Sequence, residues 1–274
     1  MTGKSLEKLY VPMQPDFETE EGFVKKIVKT DSDLYGVVAM FYEFAPSGKK
    51  DNLMMMPDGC TDFIFKFHGK DARGYVYGNS LKLSWLDFSD CDFCFGFRLF
   101  PGALGNILRF SAKELQDGYT SLLYAVSNYD EMFDAMSESV SFAERIRLVE
   151  RYFHNLIQAD YKIPELVRYS VHQIIDSDGN ASIQDICEQT GYSERYLRKI
   201  YEQYVGISPK ALAEVVRFQK SLRYNLKDDR TDSLADVACQ CGYYDQSQMN
   251  RVYRKFTGMS PVKLQKMVKR ENCK

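Results

Sequence analysis

One pattern occurs twice in the C-terminal third of this chain, and it restricts the fold more than any other feature. Residues 185–192 (DICEQTGY) return as residues 236–243 (DVACQCGY), an offset of 51. Residues 197–212 return as residues 249–264, so the second copy has one more residue in its turn. Each copy predicts a short helix, a turn containing glycine and a second helix. Two helix-turn-helix units are therefore expected, an architecture that mainly places a helix in a DNA groove.

The charged residues are divided unevenly between the two parts of the chain. Residues 180–274 contain 17 Lys and Arg against 11 Asp and Glu, whereas residues 1–179 contain 19 against 27. A basic segment beside an acidic one predicts that only the C-terminal third binds a polyanion. DNA would repel the acidic remainder, and sensing or dimerisation is expected there instead.

The sequence contains no segment that predicts export or a membrane span. Met1 is followed by Lys4, Glu7 and Lys8 rather than by an apolar run, so no signal peptide is expected. The longest apolar stretch, residues 37–44, is too short to cross a bilayer. Seven scattered cysteines, an odd number, favour reduced thiols over a disulfide framework. These features predict a cytoplasmic protein with no membrane partner.

The N-terminal part, residues 1–125, is predicted to be rich in β-strands. Runs of β-branched and aromatic residues lie between turns that contain Gly, Pro and Asp. In one run Phe93, Phe95 and Phe97 alternate with Cys94 and Gly96, the period of a strand with one buried face. Several short strands with short helices indicate a small β-barrel or sandwich. The runs are residues 37–44, 62–67, 75–77 and 92–100.

Residues 126–178 change to helical spacing. Phe142, Ile146, Val149 and Phe153 recur every three or four residues, and Pro164 begins a second helix. This helical connector is either a packed linker or a dimerisation segment, and the sequence leaves both open. Residues 179–274 are predicted to form an all-α domain with both helix-turn-helix units. The predicted fold class is therefore α+β, with three consecutive parts.

Matching local patterns mark the helix ends in the two copies. Ser182 and Ser233 each stand three residues before an acidic residue, an N-terminal capping arrangement. Gly191 and Gly242 fall in the tight turn, where a positive φ is expected. Because these patterns fall in register across both copies, they predict the same helix boundaries twice.

The second helix of each unit has a polar side that could contact bases. Arg and Lys can bond guanine O6 and N7, and Asn can bond adenine, with roughly 1–3 kcal/mol of discrimination for a good bidentate pair. The alternative is that this polar side is an ordinary solvated surface with no DNA contact. The repeat disfavours this alternative because the same polar side occurs in both copies. The candidates are Arg195, Arg198 and Lys199 in the first unit and Ser247, Asn250, Arg251 and Arg254 in the second.

One helix is predicted to join the two units over residues 209–226. These 18 residues would span about 27 Å at about 1.5 Å per residue. That length is close to the roughly 34 Å between successive major-groove segments on one face of DNA. Arg217, Lys220 and Arg223 on this helix are candidate phosphate contacts, and plain surface charge explains them equally well.

The two repeats resemble the helix-turn-helix halves of the AraC/XylS family of bacterial transcription regulators. The resemblance covers residues 181–268, and its most specific part is residues 242–261 (GYYDQSQMNRVYRKFTGMSP). It implies base contacts from Arg195, Arg198 and Lys199, and from Gln246, Ser247, Gln248 and Arg251. Met249 and Asn250 stand where Phe and Ser are common in the family. Met still fills a core position, and Asn250 could alter base recognition.

Residues 57–65 (PDGCTDFIF) and 97–102 (FRLFPG) are similar to an uncharacterised barrel found ahead of AraC-type domains. That similarity implies a ligand-sensing or dimerising role without indicating the ligand. Asp58 and Asp62 could bond a polar effector, although turn capping and structural hydrogen bonds are the alternative. Trp85 could line an aromatic pocket or pack in the core. Cys60 is either a sensing thiol in the Pro57-Asp58-Gly59 turn or a structural one.

The sequence does not predict catalysis, a metal or a cofactor. Cys91 and Cys94 invite a metal interpretation, but they fall in a predicted strand, where residues three apart face opposite sides. No catalytic triad, HExxH motif or phosphate-binding glycine loop is present.

The sequence therefore predicts a DNA-binding transcription regulator, not an enzyme, controlled by a small molecule in its N-terminal domain. Double-stranded DNA is the expected partner, with RNA polymerase, a small-molecule effector and a second copy of the chain as further candidates. The first alternative is a ligand-independent regulator that acts through protein contacts. The second is an alkyl-transfer repair protein with a regulatory DNA-binding module, which would need an activated cysteine.

Overall fold

A computed structural model describes residues 10–48, 51–69, 71–105, 107–126, 129–159, 162–227 and 232–271. Residues Met1 to Lys8, on which the expectation of no signal peptide depends, lie outside these ranges. In the described part of the chain, no helix is long and apolar enough to cross a membrane. The α+β class is confirmed, with a β-sheet domain ahead of a helical one.

The N-terminal domain is built on an open, antiparallel six-stranded sheet in the order β1-β2-β7-β4-β5-β8. A second sheet pairs β3 with β6, so the arrangement is a two-layered sandwich rather than a closed barrel over the described residues. The strands are β1 Glu21–Ile27, β2 Val38–Ala45, β3 Asn52–Met55, β4 Thr61–His68, β5 Asp71–Tyr77, β6 Ser84–Asp87, β7 Phe93–Leu99 and β8 Tyr119–Ser121. Short 3-10 helices span Phe17–Thr19 and Ala112–Leu115.

The central strands of the large sheet are covered on both faces. On one face Phe97 packs edge-on against Phe153, with 5.9 Å between ring centroids. On the other face Phe17 packs against Phe44 at 5.4 Å. The expectation of one buried face in β7 is therefore wrong, because residues 94–99 are all buried. Alternation along a strand indicates which face each residue occupies, but not whether a second layer covers the other face.

The segment from Cys91 to Cys94 also differs from the prediction that it lies within one strand. Cys91 precedes β7 instead of lying in it, so the alternation rule does not separate it from Cys94. Both side chains belong to the same apolar cluster, beneath the small sheet. Burial raises the pKa of the Cys91 thiol to about 11 and that of Cys94 well above its usual value.

The helical part follows the repeat closely. Helices α5, α6 and α7 of the first copy correspond to α8, α9 and α10 of the second. The N-terminal helices and connector are α1 Leu122–Ala125, α2 Tyr129–Glu138, α3 Phe142–Ala159 and α4 Glu165–Asp176. The repeat helices are α5 Ile183–Thr190, α6 Glu194–Tyr204, α7 Pro209–Leu226, α8 Leu234–Gln240, α9 Gln246–Thr257 and α10 Pro261–Glu271.

The connector divides between the two domains. Helix α3 covers the large sheet, as the Phe97–Phe153 contact shows. Helix α4 instead contacts α5, α6 and α7, and the Tyr201 hydroxyl donates to Ser170 Oγ of α4 at 2.9 Å. Helix α4 therefore packs mainly against the repeat helices, and His172 on it also stacks on Phe100 of the N-terminal domain at 5.3 Å between ring centroids.

Helix α7 is enclosed by two apolar clusters. Leu212, Ala213 and Val216 belong to the cluster that includes the sheet phenylalanines and the first helix-turn-helix unit. Phe218 and Leu222 belong to the cluster of the second unit, which also includes Met54 and Met56 of the N-terminal domain. Each of these two clusters therefore contains residues of both domains, whereas the cluster beneath the small sheet contains N-terminal residues only.

Polar contacts fix the N-terminal domain along the same helix. The buried Gln219 side chain accepts from the Met13 amide and donates to the Pro57 carbonyl, both at 2.8 Å. Arg223 donates to the Val11 carbonyl at 2.6 Å. Gly59 has a φ of 79°, and a Cβ on it would lie 2.6 Å from a methyl carbon of Leu212, so a larger residue would strain the backbone and displace the Leu212 side chain.

A buried ion cluster lies beneath the 57–62 turn. Arg98 Nη1 lies 3.1 Å from Asp58 Oδ2, and its Nε lies 3.0 Å from Asp62 Oδ1. Tyr42 donates to Asp62 Oδ1 at 2.8 Å, and Gln14 donates to Asp58 Oδ2 at 2.8 Å. Two carboxylates share one guanidinium away from water. Burial raises the pKa of Asp62 to about 6 against the opposing charge of Arg98, and the Asp58 charge raises it further.

We expect Gln219→Ala to lower the free energy of unfolding by about 2 kcal/mol, because it leaves a buried amide and carbonyl without partners. Urea unfolding followed by circular dichroism measures this change. Gln203→Ala on the exposed side of α6 is the matched control and should change stability by less than about 0.5 kcal/mol. Equal effects of the two substitutions would contradict the importance of the Gln219 bonds.

The Asp62 pKa predicts a pH dependence of stability. The pKa of about 6 in the folded protein exceeds the ordinary value of about 3.9 in the unfolded chain, so protonation stabilises the fold. This contribution is complete below about pH 4 and disappears as the pH rises through about 6. On changing from pH 7 to pH 5, wild type should gain about 1 kcal/mol more stability than Asp62→Asn.

Urea unfolding at the two pH values tests this prediction. Asp33→Asn, on an exposed turn, should keep the wild-type dependence on pH. A dependence that is the same in wild type and Asp62→Asn would show that the Asp62 carboxyl does not titrate in this range.

Candidate nucleic-acid interface

Helix α6 exposes a basic face because its start and its opposite side are fixed by local structure. Gly191 ends α5 with a φ of 73°, a left-handed conformation that glycine adopts without strain. Ser193 then caps α6 by accepting from the Tyr196 amide at 3.2 Å. Leu197 and Tyr201 are buried beneath the helix. The exposed residues on the outer side include Arg195, Arg198 and Lys199.

Helix α9 has an equivalent but less uniform face. Asp245 caps it by accepting from the Gln248 amide at 2.6 Å. Gln248 in turn accepts from the Tyr244 amide at 2.7 Å, so its carbonyl oxygen is engaged at the helix start. Asn250 is half-buried. The exposed residues are Gln246, Ser247, Arg251 and Arg254.

The charged groups of these two faces make no hydrogen bond or ion pair within the part of the chain that the structure describes. This holds for Arg195, Arg198 and Lys199 on α6, and for Arg251 and Arg254 on α9. A guanidinium has five donors, so these groups can all bond an external acceptor without breaking an internal contact.

Exposed tyrosines beside both faces were missed by the sequence analysis. Tyr192 and Tyr196 stack at 5.1 Å between ring centroids in the first unit. In the second unit Tyr244 is 92% exposed. The repeated Gly-Tyr pair could have indicated them, but its copies differ, because Tyr243 at the position equivalent to Tyr192 is buried.

The three basic residues predicted on α7 all have partners in their own chain. Arg217 donates to the Gly179 carbonyl at 2.6 Å, and Lys220 pairs with Asp178 at 3.0 Å. Arg223 is exposed but donates to the Val11 carbonyl. These residues hold α7 against its neighbours.

The four candidate effector residues are not brought together. Asp58, Cys60 and Asp62 are buried beneath the 57–62 turn, and Asp58 and Asp62 are bonded to Arg98. Burial raises the pKa of the Cys60 thiol well above its ordinary value. Trp85 lies apart on β6 and is 51% exposed.

The N-terminal domain contacts the C-terminal ends of both α6 and α9. Asn79 Nδ2 donates to the carbonyl of Val205, the residue that ends α6. The Leu83 amide donates to the Phe256 carbonyl in the last turn of α9 at 2.6 Å. The N-terminal domain therefore holds α6 and α9 at one end and leaves their outer faces exposed.

Two domain families match separate parts of the chain. Residues 186–267 match a helix-turn-helix domain, and residues 27–121 match a domain of unknown function. None of the curated proteins compared with the chain is similar to it.

Solved structures of ToxT from Vibrio cholerae are similar along most of the chain. A ToxT structure at 1.65 Å is 12% identical, covers 89% of this chain and 98% of its own, and has a TM-score of 0.42. ToxT from strain O395 bound to (E)-4-(8-methylnaphthalen-1-yl)but-3-enoic acid is 14% identical, with 90% and 99% coverage and a TM-score of 0.43. Values this low do not identify a ligand for this chain.

The helix-turn-helix match falls on the repeat, and the unknown domain falls on the β-sandwich. Residues 186–267 of this chain therefore form a helix-turn-helix domain of the AraC type.

Proposed function

We propose that this chain binds DNA sequence-specifically through the outer faces of α6 and α9. These two helices enter successive segments of the major groove. One observation carries the proposal. At the equivalent helix of each repeat, unpartnered polar and basic side chains are exposed while the opposite side is buried. Helix α7 joins the two units with 18 residues, about 27 Å, close to the roughly 34 Å groove repeat.

The proposed base contacts come from the exposed residues of both faces. Arg198 and Arg251 are the main candidates, because each lies near the middle of its recognition helix and presents a guanidinium to a guanine edge. The side-chain oxygen of Gln248 already accepts from the Tyr244 backbone amide and would lose this bond if it bonded adenine. The side-chain nitrogen of Gln248 is therefore the better candidate for a base contact. The remaining candidates are Arg195, Lys199, Gln246, Ser247, Asn250 and Arg254.

Phosphate contacts would supply most of the affinity and make it depend on salt. Binding through Arg217 or Lys220 would cost their contacts with Gly179 and Asp178. Arg223 is exposed and uses one guanidinium nitrogen for its bond to the Val11 carbonyl, so its other N–H groups are the main candidates for a phosphate contact on α7. Because one chain presents two recognition faces, a second copy is not needed to read a site, and contact with RNA polymerase would use surfaces outside these faces.

Control by a small molecule in the N-terminal domain is the second part of the proposal. It is supported by the contacts of that domain with both recognition helices, since a change in the sandwich can reach both. A regulator that acts through protein contacts alone is the alternative. A metabolite that binds the native state would raise the melting temperature, and a protein-only regulator would show no such shift.

Alkyl transfer is disfavoured by the state of the thiols. The nucleophile in such a reaction is the thiolate. Burial raises the pKa of Cys60 and Cys94 well above the ordinary value and that of Cys91 to about 11. Burial therefore disfavours the thiolate form that alkyl transfer needs.

Arg198→Ala should relax base preference at one position, and Arg251→Ala at another about one helical turn away, each by about 1–3 kcal/mol. Selection from a randomised DNA library, followed by gel-shift titration, measures both effects. Arg73→Ala, an exposed basic residue of β5, should leave affinity and preference unchanged. If the recognition-helix variants lose affinity equally for all sequences, the two arginines contact phosphates rather than bases.

A further inference from the structure

A cavity of about 230 Å³ opens between the small sheet and one end of the large sheet. Its two most exposed aromatic side chains come from different sheets: Trp85 from β6 is 51% exposed and Tyr119 from β8 is 63% exposed. Large aromatic residues are usually buried more deeply, so two of them exposed at one opening indicate a ligand surface. We call this the aromatic cavity and define it by Lys66, Tyr75, Trp85, Asp87, Asp117 and Tyr119.

The rings around the cavity are held in place by one another. Tyr119 stacks on Tyr77 at 5.0 Å between centroids, and Tyr75 meets Tyr119 edge-on at 5.9 Å. The ring of Tyr119 is therefore fixed by its neighbours, while more than half of it stays exposed. A fixed ring loses little conformational freedom when a ligand stacks on it.

The charges of the cavity favour a ligand that donates hydrogen bonds. Lys66 lies 4.5 Å from the centroid of Phe88 and donates to the Asp87 carbonyl at 2.5 Å, so its ammonium is engaged with its own chain. Asp87 and Asp117 add two carboxylates against this one cation. Asp87 Oδ1 accepts from the Ser89 amide at 2.9 Å and from Ser89 Oγ at 2.7 Å, so a ligand N–H would bond Asp87 through Oδ2. The net negative lining disfavours an anion and favours a neutral or weakly cationic molecule with N–H groups.

The same cavity borders the loop that touches both recognition helices. Gly78, Ser80 and Ser84 line it, and between them Asn79 bonds Val205 at the end of α6 while Leu83 bonds Phe256 in α9. Asp117 holds this loop by accepting from Ser80 Oγ at 2.9 Å and from the Leu81 amide at 3.0 Å. A ligand that forms a hydrogen bond to Asp117, or that displaces residues 78–84, would therefore change the contacts at the C-terminal ends of both helices.

We propose that the aromatic cavity binds a small planar heteroaromatic compound with N–H donors, of the size of a nucleobase. The ring stacks against Trp85 and Tyr119, and its N–H groups bond Asp87 and Asp117. Occupancy of the cavity sets the position of residues 78–84 and thereby the relative position of α6 and α9. The binding site stands on its own geometry, whereas this coupling rests on the proposed DNA-binding function.

Trp85 is the single tryptophan of the chain, so its fluorescence reports on the cavity directly. Titration with adenine or hypoxanthine should change this fluorescence to saturation, and glucose and benzoate serve as a polyol and an anionic probe. Tyr119→Ala should weaken purine binding about tenfold, the loss expected for one stacking contact. Tyr124→Ala, which removes a 69% exposed ring outside the cavity, should leave it unchanged.

The proposed ligand class is wrong if neither purine gives a saturable change, or if glucose or benzoate binds more tightly. It is equally wrong if Tyr119→Ala and Tyr124→Ala have the same effect. None of these results involves DNA, so they leave the proposed function intact.

The coupling is tested with the promoter DNA that the wild-type protein selects. Saturating purine should change the affinity for this DNA by about fivefold or more, and DNA should change the purine affinity by the same factor. Asn79→Ala should bind purine normally and lose most of this effect. Purine binding without any change in DNA affinity would contradict the coupling. If Asn79→Ala does not fold, the effect of DNA on the purine affinity of the wild-type protein tests the coupling instead. Failure of the protein to select any DNA would instead contradict the proposed function.

Discussion

The burial of helix α7 is the constraint on which the rest of the structure depends. Its apolar residues divide between two clusters, Leu212 and Val216 in one and Phe218 and Leu222 in the other. Its polar residue Gln219 is buried and bonded to the N-terminal domain. Because one rigid helix is shared in this way, neither helix-turn-helix unit can move without disturbing the packing against the other domain.

In this arrangement the buried sides and C-terminal ends of α6 and α9 are held in place, whereas their outer faces are exposed. The recognition helices are held by their buried sides and by bonds at their C-terminal ends, to Asn79 and Leu83. Their outer faces make no such bonds among the described residues. Under the proposed function, the N-terminal domain changes the relative position of the two faces, while each face keeps its own side-chain arrangement.

The sequence predicted the helical half far better than the sandwich. Repeated caps and glycines specify helix ends locally, so α7 was predicted over the residues it occupies. Strand β1 was missed because its residues are largely exposed and lack alternation, and the second layer over β7 depends on distant chain segments. For the site, helical spacing predicted the exposed arginines, whereas the contacts of Arg217 and Lys220 depend on tertiary structure.

Hydroxyl-radical footprinting of the wild-type protein on its selected promoter tests the central claim most directly. If α6 and α9 occupy successive major-groove segments, two protected regions should appear on one face of the duplex, about one helical turn or 10 base pairs apart. A single protected region, or two regions on opposite faces, would show that the two helices held by α7 do not read DNA together.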